Sequence, residues 1–224
     1  MIDKSIIFKI IGSLLFIEAL LLLACLFMAI GYQEDDVPAF IITIILTTLT
    51  GIVLHYLGRN ADNNMSRRDA YLVVTLSWII FSFFGTLPFI ISGYIPSFTD
   101  AYFETMSGFT TTGATIIDDV DKLPHGLLFW RSMTQWIGGL GIVFFTTAVL
   151  PSFVGGSVKV FAAESTGPIS SRLHPRLSTG AKWIWVVYLV LTIGCVLSFM
   201  ACGMGWFDSI NYAMGSTATG GFST

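Results

Sequence analysis

Thr110, Thr111, Thr112 and Gly113 place consecutive hydroxyls, peptide carbonyls and a glycine in a run that could replace the water around a cation. Carbonyl oxygens turned inward from an extended strand can substitute for an ion's hydration shell, and threonine hydroxyls add further oxygens. Gly113 supplies a positive-φ position that other residues adopt only at a cost. The run lies within Ser97–Ile117, SFTDAYFETMSGFTTTGATII, between two long apolar segments, Tyr71–Ser92 and Gly126–Leu150. This stretch is too polar to span a bilayer. Irregular backbone at membrane depth persists only where it is buried in protein or lines a water-filled cavity, a condition that a re-entrant pore loop meets. Ser97, Thr99 or Asp100 can cap a helix running to about Gly108, and the carbonyl end of that helix would carry partial negative charge toward a cation. Taken alone, the stretch also reads as an ordinary external loop between two membrane helices.

Recurrence favours the first reading. The chain ends NYAMGSTATGGFST, and an offset of 107 residues sets Gly108 on Gly215, Thr110 on Thr217, Thr112 on Thr219 and Gly113 on Gly220, with Trp78 on Trp185 upstream. A fixed period implies copies of one structural unit, and in membranes such copies commonly form a site where they meet. The candidate coordinating residues are therefore Thr110, Thr111, Thr112 and Gly113 in one loop and Thr217, Ala218, Thr219 and Gly220 in the other.

The elements that must position these loops are membrane helices. The chain is 54% hydrophobic and 11% charged, with a mean hydropathy of +0.78, outside the soluble range. Residues Ile6–Ile30 form an apolar run broken by Lys9 and Glu18, too long for a secretory leader and lacking a small-residue cleavage site. Glu18, ionisable at membrane depth, is a functional candidate, with a structural glutamate at a helix interface as the plainer reading. A second helix, Ala39–Leu57, follows an acidic turn and Pro38, which suits a first helical turn, and ends near His55. A third runs Ala70–Ser92, with Pro88 expected to kink it or end it early. The fourth carries Arg131 and Gln135 on one face, together with Gly138, Gly139 and Gly141, which permit close helix approach. Arg131 must snorkel outward or find an internal partner, and an anchoring role is expected. A fifth helix is expected at Lys182–Ala201, after a polar connector, Ser152–Ala181.

Cys25, Cys195 and Cys202 lie in or beside apolar runs and read as small buried residues. Ser165, His174 and Glu164 could be assembled on paper into a hydrolase, but no nucleophile elbow accompanies them. Basic clusters with interleaved aromatics are absent, which argues against nucleic acid as a partner.

Charge gives the orientation. Lys4, Lys9, Arg59, Arg67, Arg68, Lys159, Arg172, Arg176 and Lys182 fall on one side of this five-helix arrangement, which the positive-inside rule makes cytoplasmic. Glu34, Asp35, Asp36, Asp100, Glu104, Asp118, Asp119, Asp121 and Asp208 gather on the other, with His125 expected to face water there. Both loops would then enter from outside beneath an acidic mouth that concentrates cations.

The motifs SGFTTTGAT (Ser107–Thr115), FWRSMTQWIGGLGI (Phe129–Ile142), AESTGP (Ala163–Pro168) and STATGGFST (Ser216–Thr224) resemble the N-terminal half of a TrkH-type subunit of the Trk/Ktr/HKT family of potassium transporters. The resemblance covers nearly the whole chain. It implies an all-α integral membrane fold: two leading membrane helices, then repeated helix–pore loop–helix units of potassium-channel type, four in the complete protein. The divisions expected here are residues 1–60 for the leading pair, 70–151 for the first unit, 152–181 for a cytoplasmic connector and 182–224 for an incomplete second unit. The resemblance further implies one filter glycine per loop, matched by Gly113 and Gly220, with Gly113 favouring potassium over sodium. It implies a multi-pass protein of the bacterial inner membrane with a cytoplasmic N-terminus. Homodimerisation and a cytosolic, nucleotide-binding regulatory subunit of TrkA type come with it, as does transport without enzymatic activity or cofactor, potassium being the permeant ligand. Since a half ring cannot enclose an ion, it also implies that these residues are part of a longer chain. Two other readings stand beside it: a sodium- or proton-coupled symporter in which Glu18 takes part, and a non-conducting truncated membrane subunit.

Overall fold

The computed structural model describes residues 4–61, 67–141 and 177–224, and among these the chain is helical without a strand. Helices α1 (Lys4–Tyr32) and α2 (Val37–Leu57) form an antiparallel hairpin, joined by a short turn in which Gln33 has φ 57° and Pro38 sits in the first turn of α2. Small residues set its closeness. A β-carbon on Gly12 would lie 2.6 Å from the backbone nitrogen of His55, and Gly58 abuts the backbone of Ser5 and Lys9. Where lipid is as apolar as the side chains, such backbone approach supplies the packing that holds helices together.

Helix α3 (Arg67–Ser92) runs through Pro88 to Ser92, so the proline does not end it early. Then come α4 (Phe98–Phe109), a 3₁₀ turn at Val120–Lys122, and α5 over residues 125–141. Helix α6 (Leu177–Ala201) starts five residues before the expected Lys182, and α7 (Trp206–Thr217) follows it. The expected continuation of α5 to Leu150, and most of the connector with Ser165, His174 and Glu164, lie outside the described residues. Four of the described helices are long and apolar enough to cross a membrane: Lys4–Tyr32, Val37–Leu57, Tyr71–Ser92 and Trp183–Ala201. On their outer faces Leu20, Phe27, Val190 and Leu197 are each more than 60% exposed, as lipid-facing surfaces require and water-facing ones rarely tolerate.

The core lies where α4 packs between α3 and α5. Phe89, Phe109, Leu127 and Trp130 are buried there, and Phe40 joins them from α2. Trp130 donates its indole N–H to the carbonyl of Gly85 at 2.8 Å, satisfying a polar atom in a dry interior. Thr86 and Thr105 meet at 3.3 Å across α3 and α4. The far end of the α1–α2 hairpin is tied to the repeats as well. Glu34 accepts from the backbone N–H of His125 at 2.6 Å and pairs with its ring Nδ1 at 2.7 Å. Tyr94 donates to Asp35 at 3.0 Å. Tyr32 stacks on His125 and meets Phe207 edge-on, which draws the starts of α5 and α7 to the acidic end of the hairpin. α4 and α7 therefore begin at the same end of the molecule.

Candidate ion-coordination site

Each short helix ends in the same way. At α4, Ser97 is the N-cap and its hydroxyl accepts from the N–H of Asp100 at 3.5 Å. At the other end, Thr111 N–H bonds the Gly108 carbonyl and Thr112 N–H bonds the Ser107 carbonyl, both at 2.9 Å. At α7, Thr219 N–H bonds Ser216 at 3.1 Å and Gly220 N–H bonds Gly215 at 2.9 Å. These are Schellman terminations, which place their third-from-last and penultimate helical carbonyls under cover and require a left-handed residue that is usually glycine. Here that residue is threonine in both copies, with φ 54° at Thr111 and at Thr219. A β-branched residue held there costs on the order of 1–3 kcal/mol, and such strain concentrates at functional sites.

The terminations also correct the repeat. Ser97 corresponds to Gly205, the bounds of α4 to those of α7, and Thr111 to Thr219, all at an offset of 108 and not 107. Gly113, with φ 73°, thus pairs with Gly221, φ 88°, while Gly220 pairs with Thr112 and Thr217 with Phe109. The sequence already held this register in Asp100/Asp208, Met106/Met214 and Thr111/Thr219. The Gly220–Gly221 doublet allowed the loops to be aligned one residue short, and only helix phase separates the two choices.

The two hairpins meet. A β-carbon on Gly113 would overlap the carbonyl oxygen of Gly220. Beyond each helix cap, among the described residues, the carbonyls of Thr110–Gly113 and Ala218–Gly221 accept no hydrogen bond, although backbone carbonyls away from water are almost always paired. Thr110 and Thr112 join their hydroxyls at 2.8 Å and remain exposed, as does Thr219. Uncharged carbonyl and hydroxyl oxygens without a protein donor among the described residues are chemistry that a monovalent cation could use.

Helix α5 is the wall behind both loops. Gly138 lies against the carbonyl of Phe109 and Gly139 against Ala218, so the glycines admit the two loop backbones. Gln135 accepts from Phe222 N–H at 3.1 Å. Arg131 is 2% exposed and Glu104 1%, with Arg131 Nε donating to Glu104 Oε1 at 2.9 Å. Of the two outcomes open to this arginine, an internal partner is the one the fold provides. Glu104 also accepts from Thr115 Oγ1 at 2.9 Å and from Ile116 N–H at 3.0 Å. Glu104, Arg131, Gln135 and Gly221 are the residues near the loops that sequence reading did not place at the site. Nothing in the spacing of Glu104 and Arg131 announces a pair that only packing creates.

The acidic mouth is reduced accordingly. Glu104 belongs to the interior, and His125 is engaged by Glu34 and Tyr32 and does not simply face water. Asp36, the residue before α2, is fully buried, its carboxylate directed at Gly126 in the first turn of α5 without a hydrogen bond of normal geometry. Burial, reinforced by the nearby charge of Glu34, pushes it up to about 6, and the backbone amide of Leu127 only partly opposes the rise. Asp35, Asp100, Asp118, Asp119 and Asp121 stay exposed, Asp119 pairing with Lys122 at 2.8 Å. Glu18, midway along α1, is buried with both oxygens unpartnered among the described residues. The hairpin register, with Gly12 against Gly51 and His55, sets Glu18 level with Thr47, whose hydroxyl is likewise unpartnered.

Comparison with known proteins agrees with this architecture. The model of a family described as TrkH, a cation transport protein, matches residues 36–224. The Trk system potassium uptake protein TrkH of Halomonas elongata is 37% identical over 220 residues, 97% of this chain and 46% of that protein. The protein of the same name from Escherichia coli is 38% identical over 198 residues, 88% of this chain and 41% of its own length. The crystal structure of the potassium transporter TrkH from Vibrio parahaemolyticus superposes with a TM-score of 0.84 at 35% identity, covering 100% of this chain and 44% of that one. The chain spans about half the length of the curated relatives it matches.

Proposed function

The chain belongs to the TrkH family of cation transport proteins, and from that premise we propose that it forms part of a pathway for potassium uptake, as the membrane subunit of a Trk-type system. The ion-coordinating groups are the backbone carbonyls of Thr110, Thr111, Thr112 and Gly113 and of Ala218, Thr219, Gly220 and Gly221, with Thr217 closing the second helix below them. Residues 70–151 and 177–224 are the repeating units, residues 1–60 the leading pair and 152–176 the connector, its end moved from the expected residue 181 to where α6 begins. The observation that carries this reading is the pair of adjoining hairpins whose carbonyls lack donors among the described residues, each strained at an equivalent threonine. Oxygens held in place for the ion, and unable to satisfy one another, favour a partly dehydrated cation over an empty loop. One glycine at the equivalent position of each loop gives a shorter coordinating run than a TVGYG filter, and so a less selective one.

In the bilayer the basic ends face the cytoplasm and both hairpins enter from the outer side of a bacterial inner membrane. A homodimer and a TrkA-type regulatory subunit complete the proposed assembly. Potassium uptake by the complete chain in cells lacking their own uptake systems tests the reading. Uptake that disappears when Gly113 is made bulky supports it, and uptake indifferent to that change refutes it. Glu18 favours a second reading, since a buried carboxyl without a partner among the described residues is a group that a coupled proton or sodium ion could use. Flux that stops without a sodium or proton gradient selects this symport reading over simple conduction.

A further inference from the structure

We infer that Arg131 and Glu104 are positioning residues that set the separation of the two coordinating strands, and through it the discrimination between potassium and sodium; this rests on the transport reading above. The guanidinium touches both strands. Nη2 reaches Thr115 Oγ1 at 3.3 Å and Nη1 donates to the Ser223 carbonyl at 3.1 Å, while the guanidinium carbon lies 4.3 Å from the centre of the Phe222 ring. Thr115 and Ser223 are equivalent positions in the 108-residue register, each two residues past the left-handed glycine of its strand. Glu104 fixes the first strand from behind through Thr115 Oγ1 and Ile116 N–H, and Thr115 Oγ1 accepts in turn from Ile117 N–H at 3.1 Å. One planar, fork-shaped cation therefore clamps two strands at matching points, a geometry that an ammonium cannot reproduce.

Stability alone does not account for the pair. Burying two charges carries a desolvation penalty, and apolar residues of similar volume often hold a fold as well. What an apolar pair cannot supply is a fixed distance between Thr115 and Ser223. The second repeat has Tyr212 where the first has Glu104, so it lacks the carboxylate of the strut at the corresponding place.

The test uses the complete chain reconstituted in lipid vesicles, with potassium and sodium fluxes measured separately. For Arg131→Lys and Glu104→Gln the expected result is a fall of about tenfold in the potassium-to-sodium ratio, equivalent to about 1.4 kcal/mol, with sodium flux maintained or raised. The reversed pair E104R/R131E keeps two opposite charges but has no acceptor for Ile116 N–H and no donor for the Ser223 carbonyl, so it should stay unselective. A ratio within about twofold of the unmodified chain in both single variants, or recovery of selectivity by the reversed pair, overturns the inference. Should the charge variants fail to reach the membrane, Thr115→Val decides. It leaves the ion pair and the Glu104 contact with Ile116 N–H intact and removes the hydroxyl through which Arg131 reaches the first strand, together with the acceptor for Ile117 N–H, and an unchanged ratio there overturns the inference equally. An unmodified chain that carries no potassium defeats the transport reading instead, so the two failures are distinguishable.

Discussion

The carbonyl oxygen of Gly220 occupies the space that a β-carbon on Gly113 would need. Two segments separated by most of the sequence of one repeat thus touch backbone to backbone, and Gly113 cannot take a side chain without moving the other loop. Gly113 also has φ 73°, so any replacement meets backbone strain as well as overlap. Gly113→Ala should lower potassium uptake by the complete chain by about tenfold or more while its amount in the membrane stays unchanged, a loss of about 1.4 kcal/mol or more in the transport step. Uptake kinetics normalised to membrane protein would measure this.

The two glycines of the second loop should fail for different reasons. Gly221 has φ 88° and open space about its β-position, so Gly221→Ala suffers only backbone strain, of about 1–2 kcal/mol. Gly220 has an ordinary φ, but a β-carbon there would overlap the Gln135 side chain. Gly220→Ala should therefore be partly relieved by Gln135→Ser, and Gly221→Ala should not. A double-mutant cycle on uptake reads the difference as non-additivity at one site and additivity at the other.

Asp36 makes stability depend on pH in a stated direction. Its folded-state value of about 6 lies above the ordinary ~3.9 of an aspartate. The contribution it makes is thus fully present below that ordinary value and is lost as pH rises through about 6. Asp36→Asn should leave the thermal midpoint near the unmodified value at pH 4, raise it increasingly from about pH 4 to about pH 6, and give a constant gain above about pH 7. Melting curves across that range, in one detergent, are the measurement. The group sits among Glu34, Asp35, His125 and the first turn of α5, so Glu34→Gln should reduce the effect by removing the neighbouring charge.

Orientation is accessible through thiols already present. Cys25 is buried as expected, whereas Cys202, expected to be buried too, is exposed because it lies immediately past the end of α6, on the acidic side. A membrane-impermeant maleimide applied to the outer face of intact cells should label Cys202 and spare Cys25. Labelling should vanish in Cys202→Ser, and protection of Cys202 from outside would invert the proposed topology.

Much was legible in the order of residues because bilayers impose simple rules. Apolar runs of sufficient length, a lopsided distribution of Lys and Arg, and a Thr/Gly motif occurring twice depend on local composition and are read without knowing what touches what. They led to an all-helical membrane fold, a leading hairpin and two loops of one kind. Helix phase and packing decided the rest. The repeat is 108 residues because α4 and α7 share their caps and their left-handed threonines, a geometric criterion that letters alone left ambiguous at Gly220 and Gly221. Glu104 looked like one of the external acids, and folding turned it inward onto Arg131. Such a pairing arises because α4 lies between α3 and α5, bringing together side chains that no local pattern connects. Composition fixed which chemistry the chain could hold, and tertiary contact chose the atoms that hold it.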